Sequence, residues 1–137
     1  MKHLLATTET KHWMLVDDNA SVLELVSALV ENLTDAPIER FNSSQAALAA
    51  FAAAPEKYEV VITDFEMPGM DGVELCRRML ALAPKQKIIL ATGSEFFTKA
   101  AAQHAGFSGL LNKPFPIEAL STTLSEAGVE MGLLTHA

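Results

Sequence analysis

The stretch Val60-Val61-Ile62-Thr63-Asp64 is a nearly continuous apolar run that ends in a carboxylate. Similar apolar runs occur before it, at Trp13–Val16, and after it, at Ile88–Ala91. Short apolar runs without alternation are typical of strands covered on both faces, as in a parallel sheet. Two weaker runs, Ile38–Phe41 and Gly109–Asn112, complete a set of five predicted strands.

Segments with helical spacing follow these strands, so that strand and helix alternate five times along the chain. The predicted helices cover residues 20–33, 44–54, 73–83, 95–105 and 117–132. This alternation predicts an α/β fold, in which a doubly wound, five-stranded parallel sheet carries helices on both faces. The length of 137 residues is roughly that of one domain. We expect a flexible arm at residues 1–11, the folded domain at 12–132 and a tail at 133–137.

Composition excludes several classes of protein. Ten Lys and Arg residues against seventeen Asp and Glu residues give a net charge of −7, which repels phosphate backbones, so we expect no nucleic-acid partner. The single cysteine, Cys76, excludes a disulfide within the chain and favours a reducing compartment. Because no apolar run approaches the roughly 18 residues of a membrane span, and the apolar N-terminus is too short for a secretory signal, we expect no membrane association and a cytoplasmic location.

Polar residues follow four of the predicted strands at the point where each strand ends. They are Asp17 and Asp18, Asp64, Thr92 and Lys113. The carboxyl ends of parallel strands meet at one edge of the sheet, so we expect these side chains to lie together. Three neighbouring carboxylates repel one another, and a hard divalent cation with oxygen ligands, Mg²⁺, would offset that repulsion.

The same set of side chains suits phosphoryl transfer. An aspartate can attack phosphorus to form an aspartyl phosphate. A metal ion, the Lys113 ammonium and the Thr92 hydroxyl would then neutralise charge on the equatorial oxygens. The residues alone therefore predict a site where a carboxylate accepts a phosphoryl group.

Four motifs in this order resemble the receiver domains of bacterial two-component response regulators, over residues 12–128. The motifs are Val16-Asp17-Asp18-Asn19, Thr63-Asp64-Phe65-Glu66-Met67-Pro68-Gly69-Met70-Asp71-Gly72, Leu90-Ala91-Thr92-Gly93 and Asn112-Lys113-Pro114-Phe115. The resemblance implies a flavodoxin-like strand order of 2-1-3-4-5 and a cis peptide before Pro114.

The resemblance also implies a role for each residue of the site. Asp64 matches the phosphoacceptor, and Lys113 matches the lysine that pairs with it or with the phosphoryl oxygens. Asp18 matches a direct Mg²⁺ ligand, Asp17 a water-mediated one, and the backbone carbonyl of Glu66 a further ligand.

Signalling by such a domain depends on a change of protein contacts. The resemblance implies that the Thr92 hydroxyl swings toward the phosphoryl group and shifts a two-state equilibrium. The implied partners are a histidine kinase or a histidine phosphotransfer protein, which supplies the phosphoryl group, and an unknown output protein. Apart from its own phosphorylation and dephosphorylation, the domain is not expected to be an enzyme.

Three positions depart from the family pattern or modulate it. Leu110 stands where the family usually has Tyr or Phe, so we expect the output surface to respond mainly through Thr92 and the loop after it. The resemblance implies that Glu66 and Ser94 stand at positions that tune how fast the phosphate is lost. It also implies that the output surface is formed by the fourth helix, the fifth strand and the last helix. This surface carries few charges here, so we expect a monomer or a weak, apolar dimer.

The first helix is apolar on more than one face. We expect its core stripe to be Val22, Leu25, Val26 and Leu29, with Leu23 and Val30 outside it. The resemblance makes this helix the docking surface for the kinase or phosphotransfer protein, and a broadly buried helix is the alternative. On the fourth helix we expect one of Phe96 and Phe97 to be less buried than the other.

Three alternatives remain open from the sequence. The chain ends soon after Lys113, which predicts a stand-alone receiver, and a receiver excised from a hybrid kinase is the alternative that the sequence does not exclude. A phosphorylation-independent interaction domain is supported by Leu110. A Mg²⁺-dependent hydrolase with an aspartate nucleophile is disfavoured, because Glu66 occupies the place of its acid/base aspartate.

Overall fold

The computed structural model describes residues 10–95 and 97–131. Most of the predicted arm and all of the predicted tail lie outside these residues. The sheet is parallel and has five strands in the order β2-β1-β3-β4-β5, as predicted. The strands are β1 His12–Val16, β2 Ile38–Phe41, β3 Tyr58–Thr63, β4 Lys87–Thr92 and β5 Gly109–Asn112. Val16 pairs with Phe41 on one side and with Thr63 on the other, so these three strands end at the same level.

Helices connect the strands. They are α1 Ala20–Glu31, α2 Ser44–Ala53, α3 Gly72–Leu82, α4 Lys99–His104 and α5 Ile117–Glu126, with a short 3₁₀ turn at Pro55–Lys57. Among the described residues, none of these helices has the length and apolar character needed to cross a membrane.

Two apolar cores lie on opposite faces of the sheet. Trp13 and Leu15 of β1 face the core that also contains residues of α1 and α5, whereas Met14 and Val16 face the core that contains residues of α2, α3 and α4. We call these the α1–α5 core and the α2–α3–α4 core. Successive side chains of a strand point to opposite faces. The continuous apolar runs are therefore explained by burial on both sides.

The predicted core stripe of α1 is confirmed at Val26, which is buried in the α1–α5 core, and is wrong at the other positions. Leu23 is only 8% exposed and Val30 is fully buried, whereas Leu25 is 59% exposed. Val22 and Leu29 are half-buried at the border of the α1–α5 core. The buried stripe includes Ser27, whose hydroxyl accepts a hydrogen bond of 2.8 Å from Arg40 Nε of β2. This long-range partner allows a polar residue to face the sheet, so Ser27 does not mark the exposed side of the helix.

The last two helices are shorter than predicted. Helix α4 starts at Lys99 because the Thr98 side chain caps it, accepting a hydrogen bond of 3.0 Å from the N–H of Ala101. Phe97 therefore lies in the loop before α4 and is half-buried, while Phe96 lies outside the described residues. Helix α5 ends at Glu126, and Gly128 follows its C-cap with a positive φ of 80°.

Candidate functional site

Backbone hydrogen bonds place the predicted site residues just beyond the last rungs of the sheet. The N–H of Asp64 donates to the carbonyl of Val16 at 2.9 Å, and the N–H of Lys113 donates to the carbonyl of Thr92 at 2.9 Å. The N–H of Asp17 similarly donates to β2, at 3.1 Å. The parallel pairing thus continues by one residue at each point, which brings these side chains to one edge of the sheet.

Lys113 joins two of the carboxylates. Its Nζ lies 2.7 Å from Asp17 Oδ2 and 3.1 Å from Asp64 Oδ1. The other oxygen of Asp17 accepts a hydrogen bond of 2.9 Å from the N–H of Asn19. The three charged side chains are mostly buried, so their interactions are screened less by solvent than those of surface ion pairs. The Lys113–Pro114 peptide is cis, as predicted.

The acidic cluster fits a hard divalent cation. Asp17, Asp18 and Asp64 each offer a carboxylate oxygen, and these oxygens all lie within 4.8 Å of one another. They open into a depression of about 630 Å³, which Glu66 and Asp71 also line. Oxygen donors in this number, with room for water beside them, are what Mg²⁺ prefers.

Burial and charge oppose each other at the two partners of the ion pair. At Asp64, burial has the largest effect and raises the pKa above its usual value, although Lys113 and the N–H of Phe65 favour the charged carboxylate. At Lys113, burial lowers the pKa, but the hydrogen bonds to Asp17 and Asp64 outweigh it, so the pKa is raised. The lysine therefore stays charged at neutral pH.

Thr92 lies at the same edge of the sheet, but its hydroxyl is hydrogen bonded to the loop after β4. The side chain is 1% exposed, and Oγ1 accepts a hydrogen bond of 3.0 Å from the N–H of Ser94. Thr92 is not among the residues that line the acidic depression. Ser94 is half-buried at the start of the segment that leads to α4.

The structure shows two close approaches behind the acidic cluster that sequence reasoning missed. The N–H of Gly72 donates to the carbonyl of Phe65 at 2.8 Å, and a Cβ at Gly72 would overlap the carbonyl oxygen of Asp64. Asp71 accepts a hydrogen bond of 2.9 Å from the N–H of Glu74 and caps α3. A glycine at the first position of a helix is a sequence signal for close packing at that position. The residue that Gly72 packs against, Asp64, can be identified only from the fold.

A second missed feature is an aromatic contact. The rings of Phe65 and Phe97 meet edge to face, with centroids 4.8 Å apart and an interplanar angle of 71°. Phe97 lines a groove of about 560 Å³ together with Gln103 of α4, Leu110 of β5 and Thr123 of α5. We call this depression the α4–β5–α5 groove. Leu110 is half-buried there and packs against the α2–α3–α4 core.

Comparison with known sequences matches the chain to one family and to proteins of several kinds. The family described as response regulator receiver domain matches residues 14–125. The transcriptional regulatory protein DctD of Rhizobium meliloti is 35% identical over 77% of this chain and 23% of its own length. FixJ of Bradyrhizobium diazoefficiens is 29% identical over 88% of this chain and 58% of its own length. The histidine-protein kinase BarA of Escherichia coli is 31% identical over 81% of this chain and 12% of its own length.

Solved structures agree with the sequence relatives. A response regulator receiver domain protein from Clostridium thermocellum superposes with a TM-score of 0.77 at 25% identity, covering 85% of this chain and 93% of that one. The chemotaxis protein CheY4 of Vibrio cholerae superposes with a TM-score of 0.73 at 26% identity, covering 86% and 98% of the two chains. The chain spans little more than half of FixJ and less than a quarter of DctD and BarA. With its sheet order, its acidic edge and these relatives, the chain belongs to the family of response regulator receiver domains.

Proposed function

We propose that this chain is a phosphoryl-accepting switch in which Asp64 takes a phosphoryl group from a phosphohistidine. The observation that carries the proposal is the position of Asp64 beside the Lys113 ammonium, at 3.1 Å, within a cluster of three carboxylates. Such a set binds charge on the phosphoryl oxygens and holds the acceptor carboxylate in place.

The transfer step balances with the groups at this edge. An Asp64 carboxylate oxygen attacks phosphorus and forms a new O–P bond. The P–N bond of the phosphohistidine breaks, its electron pair goes to the ring nitrogen, and the imidazole, protonated at its other nitrogen, leaves neutral. Lys113 then turns from Asp64 toward the phosphoryl oxygens and pairs with their charge.

A bound Mg²⁺ would supply further neutralisation of the phosphoryl oxygens. We propose that Asp18 and Asp64 hold it directly, that Asp17 holds it through water, and that the backbone carbonyl of Glu66 completes the protein ligands. Glu66 lines the acidic depression, and the N–H of Ser94 donates to the Thr92 hydroxyl. We propose that these two side chains set the lifetime of the phosphoryl group. Each chain accepts one group, so the domain acts as a switch and not as an enzyme with turnover.

We infer that the phosphodonor is a histidine kinase or a histidine phosphotransfer protein that docks on α1. Leu25 is 59% exposed, and the half-buried Val22 and Leu29 flank it on the same face of the helix. Val22 also lines the acidic depression, so this face lies beside the proposed phosphoacceptor and is suited to contact a phosphodonor. We further propose a cytoplasmic protein that acts on a separate output partner and is a monomer or weak dimer.

Intact-mass measurement after incubation with acetyl phosphate and Mg²⁺ tests the proposal. We expect a gain of one phosphoryl group, absent from Asp64→Asn and from samples without Mg²⁺. Asp71→Asn is the matched control, because Asp71 lines the same depression but caps α3, and asparagine also caps helices. A phosphoryl group that persists in Asp64→Asn would contradict the assignment.

Leu110 favours one competing function, a receiver-like domain whose contacts do not depend on phosphorylation. Its aliphatic side chain has no ring to change orientation between two states. If the wild-type chain gains no phosphoryl group from acetyl phosphate and binds no beryllofluoride, this second function replaces the first.

A further inference from the structure

We propose that the contact between Phe65 and Phe97 couples the phosphoacceptor site to the α4–β5–α5 groove. We call the end of the sheet that carries Asp17, Asp64 and Lys113 the acceptor edge. The inference rests on the proposed function, because it assumes that Asp64 carries the phosphoryl group. It goes beyond that function by naming the side chains that link the site to a distant surface.

The link begins at the backbone of Phe65. Phe65 directly follows Asp64 in the chain, and its carbonyl accepts a hydrogen bond of 2.8 Å from the N–H of Gly72. Phosphorylation changes the charge and size of the Asp64 side chain, and the backbone of Phe65 is bonded directly to that residue. Because Gly72 packs tightly against the Asp64 carbonyl, little free space exists there to absorb a displacement.

The ring contact carries the displacement across to the loop before α4. The two rings meet at 71° with centroids 4.8 Å apart, a geometry in which the positive edge of one ring faces the negative face of the other. This interaction is directional, so a shift of Phe65 either moves Phe97 with it or breaks the contact. Phe97 directly precedes Thr98, the N-cap of α4.

The link ends in the groove. Among the described residues that line the groove, Phe97 is the aromatic one, and Leu110 also lines it. The Thr92 hydroxyl binds the N–H of Ser94 at the other end of the loop that contains Phe97. The loop is thus held at one end by Thr92 and at the other by the Phe65–Phe97 contact, and both anchors adjoin the acceptor edge.

Backbone amide NMR spectra of α4 and β5, recorded with and without beryllofluoride and Mg²⁺, test the inference. The variants are Phe65→Leu, Phe97→Leu and the double variant, all of which keep apolar volume but remove a ring. Phe41→Leu is the matched control, because Phe41 is a half-buried ring on the border of the same core but lies on β2. Fluorine NMR of the bound beryllofluoride reports occupancy of Asp64 independently.

We expect each single variant to bind beryllofluoride but to lose at least roughly half of the amide response in α4 and β5, as removal of one directional contact predicts. The double variant should lose no more than either single variant, because both remove the same contact. Phe41→Leu should respond as the wild-type chain does.

Two failures are distinguishable. If the wild-type chain binds no beryllofluoride, the proposed function itself fails. If all variants bind it and α4 responds as in the wild-type chain, the inference is overturned while the proposed function stands. An equal loss in Phe41→Leu would also overturn it, since general packing and not the ring contact would then govern the response.

Discussion

The Nζ of Lys113 lies closer to Asp17 than to the proposed phosphoacceptor, at 2.7 Å from Asp17 Oδ2 against 3.1 Å from Asp64 Oδ1. Both carboxylates also belong to the cluster that fits a divalent cation. If Mg²⁺ binds to this cluster as proposed, the ammonium and the metal ion would compete for the negative charge of Asp17.

Removing the lysine charge should strengthen metal binding and weaken phosphorylation. We expect Lys113→Met to bind Mg²⁺ roughly tenfold more tightly, the factor that corresponds to one charge-assisted hydrogen bond released from Asp17. Titration calorimetry with Mg²⁺ measures this directly. Lys85→Met, which removes the same charge at an exposed position, is the control. Unchanged or weaker binding by Lys113→Met would show that the lysine does not compete.

A methyl group at Gly72 should disturb the acceptor edge from behind. A Cβ at this position overlaps the carbonyl oxygen of Asp64, so we expect Gly72→Ala to destabilise the fold by about 1–3 kcal/mol and to slow phosphorylation by acetyl phosphate. Urea unfolding and the rate of mass gain are the measurements.

Gly93→Ala provides the matched control for this experiment. No atom lies within 4 Å of a Cβ at Gly93, although Gly93 directly follows Thr92 at the same edge of the sheet. We expect its stability and phosphorylation rate to stay close to the wild-type values. Equal effects of the two substitutions would mean that the crowding at Asp64 is not responsible.

Two leucines of α1 should differ sharply despite being two positions apart. Leu23 is 8% exposed in the α1–α5 core, whereas Leu25 is 59% exposed. We expect Leu23→Ala to lower the free energy of unfolding by about 2–5 kcal/mol and Leu25→Ala by less than about 0.5 kcal/mol. Leu25→Ala should instead slow phosphotransfer from a phosphohistidine donor. If Leu25→Ala were the more destabilising change, the assigned face of α1 would be wrong.

We expect the free energy of unfolding to fall at acidic pH because of the Glu39 carboxylate on β2. Burial alone would raise the pKa of Glu39, but hydrogen bonds from Lys57, Tyr58 and His12 outweigh it and hold the pKa below the ordinary value of 4.5. A carboxyl whose pKa is lower in the folded state stabilises the fold above 4.5 and loses that contribution as the pH drops through the lowered value.

Urea unfolding between about pH 7 and about pH 3 checks this expectation. The wild-type chain should lose more stability on acidification than Glu39→Gln, whose amide does not titrate. Glu24→Gln, an exposed position on α1, is the control and should follow the wild-type curve. A Glu39→Gln curve as steep as that of the wild-type chain would assign the acid sensitivity to other groups.

The parallel sheet and its acidic edge could be anticipated because three strands are continuous apolar runs and polar residues stand at the ends of four strands. The order of the strands was implied by the resemblance to receiver domains and not by these runs. The buried stripe of α1 could not be anticipated, since it depends on Arg40 reaching Ser27 from another strand. The start of α4 could not be anticipated either. The apolar Phe97 fits the spacing of the predicted helix, and only the Thr98 side chain, which caps the helix, shows that α4 begins at Lys99. Contacts such as Phe65 with Phe97 join loops that are far apart in sequence and have no local signature.

Trp13 is the single tryptophan of the chain, and its position governs what fluorescence can report. The side chain is 1% exposed and stands near the amino end of β1, four residues before Asp17. At about 3.3 Å per strand residue, the backbones of the two positions are roughly 13 Å apart. We therefore expect the fluorescence of Trp13 to change when the α1–α5 core unfolds and to change little when a metal ion or phosphoryl group binds at the acidic edge. A chain with a second indole introduced near that edge would be needed to observe metal binding by light.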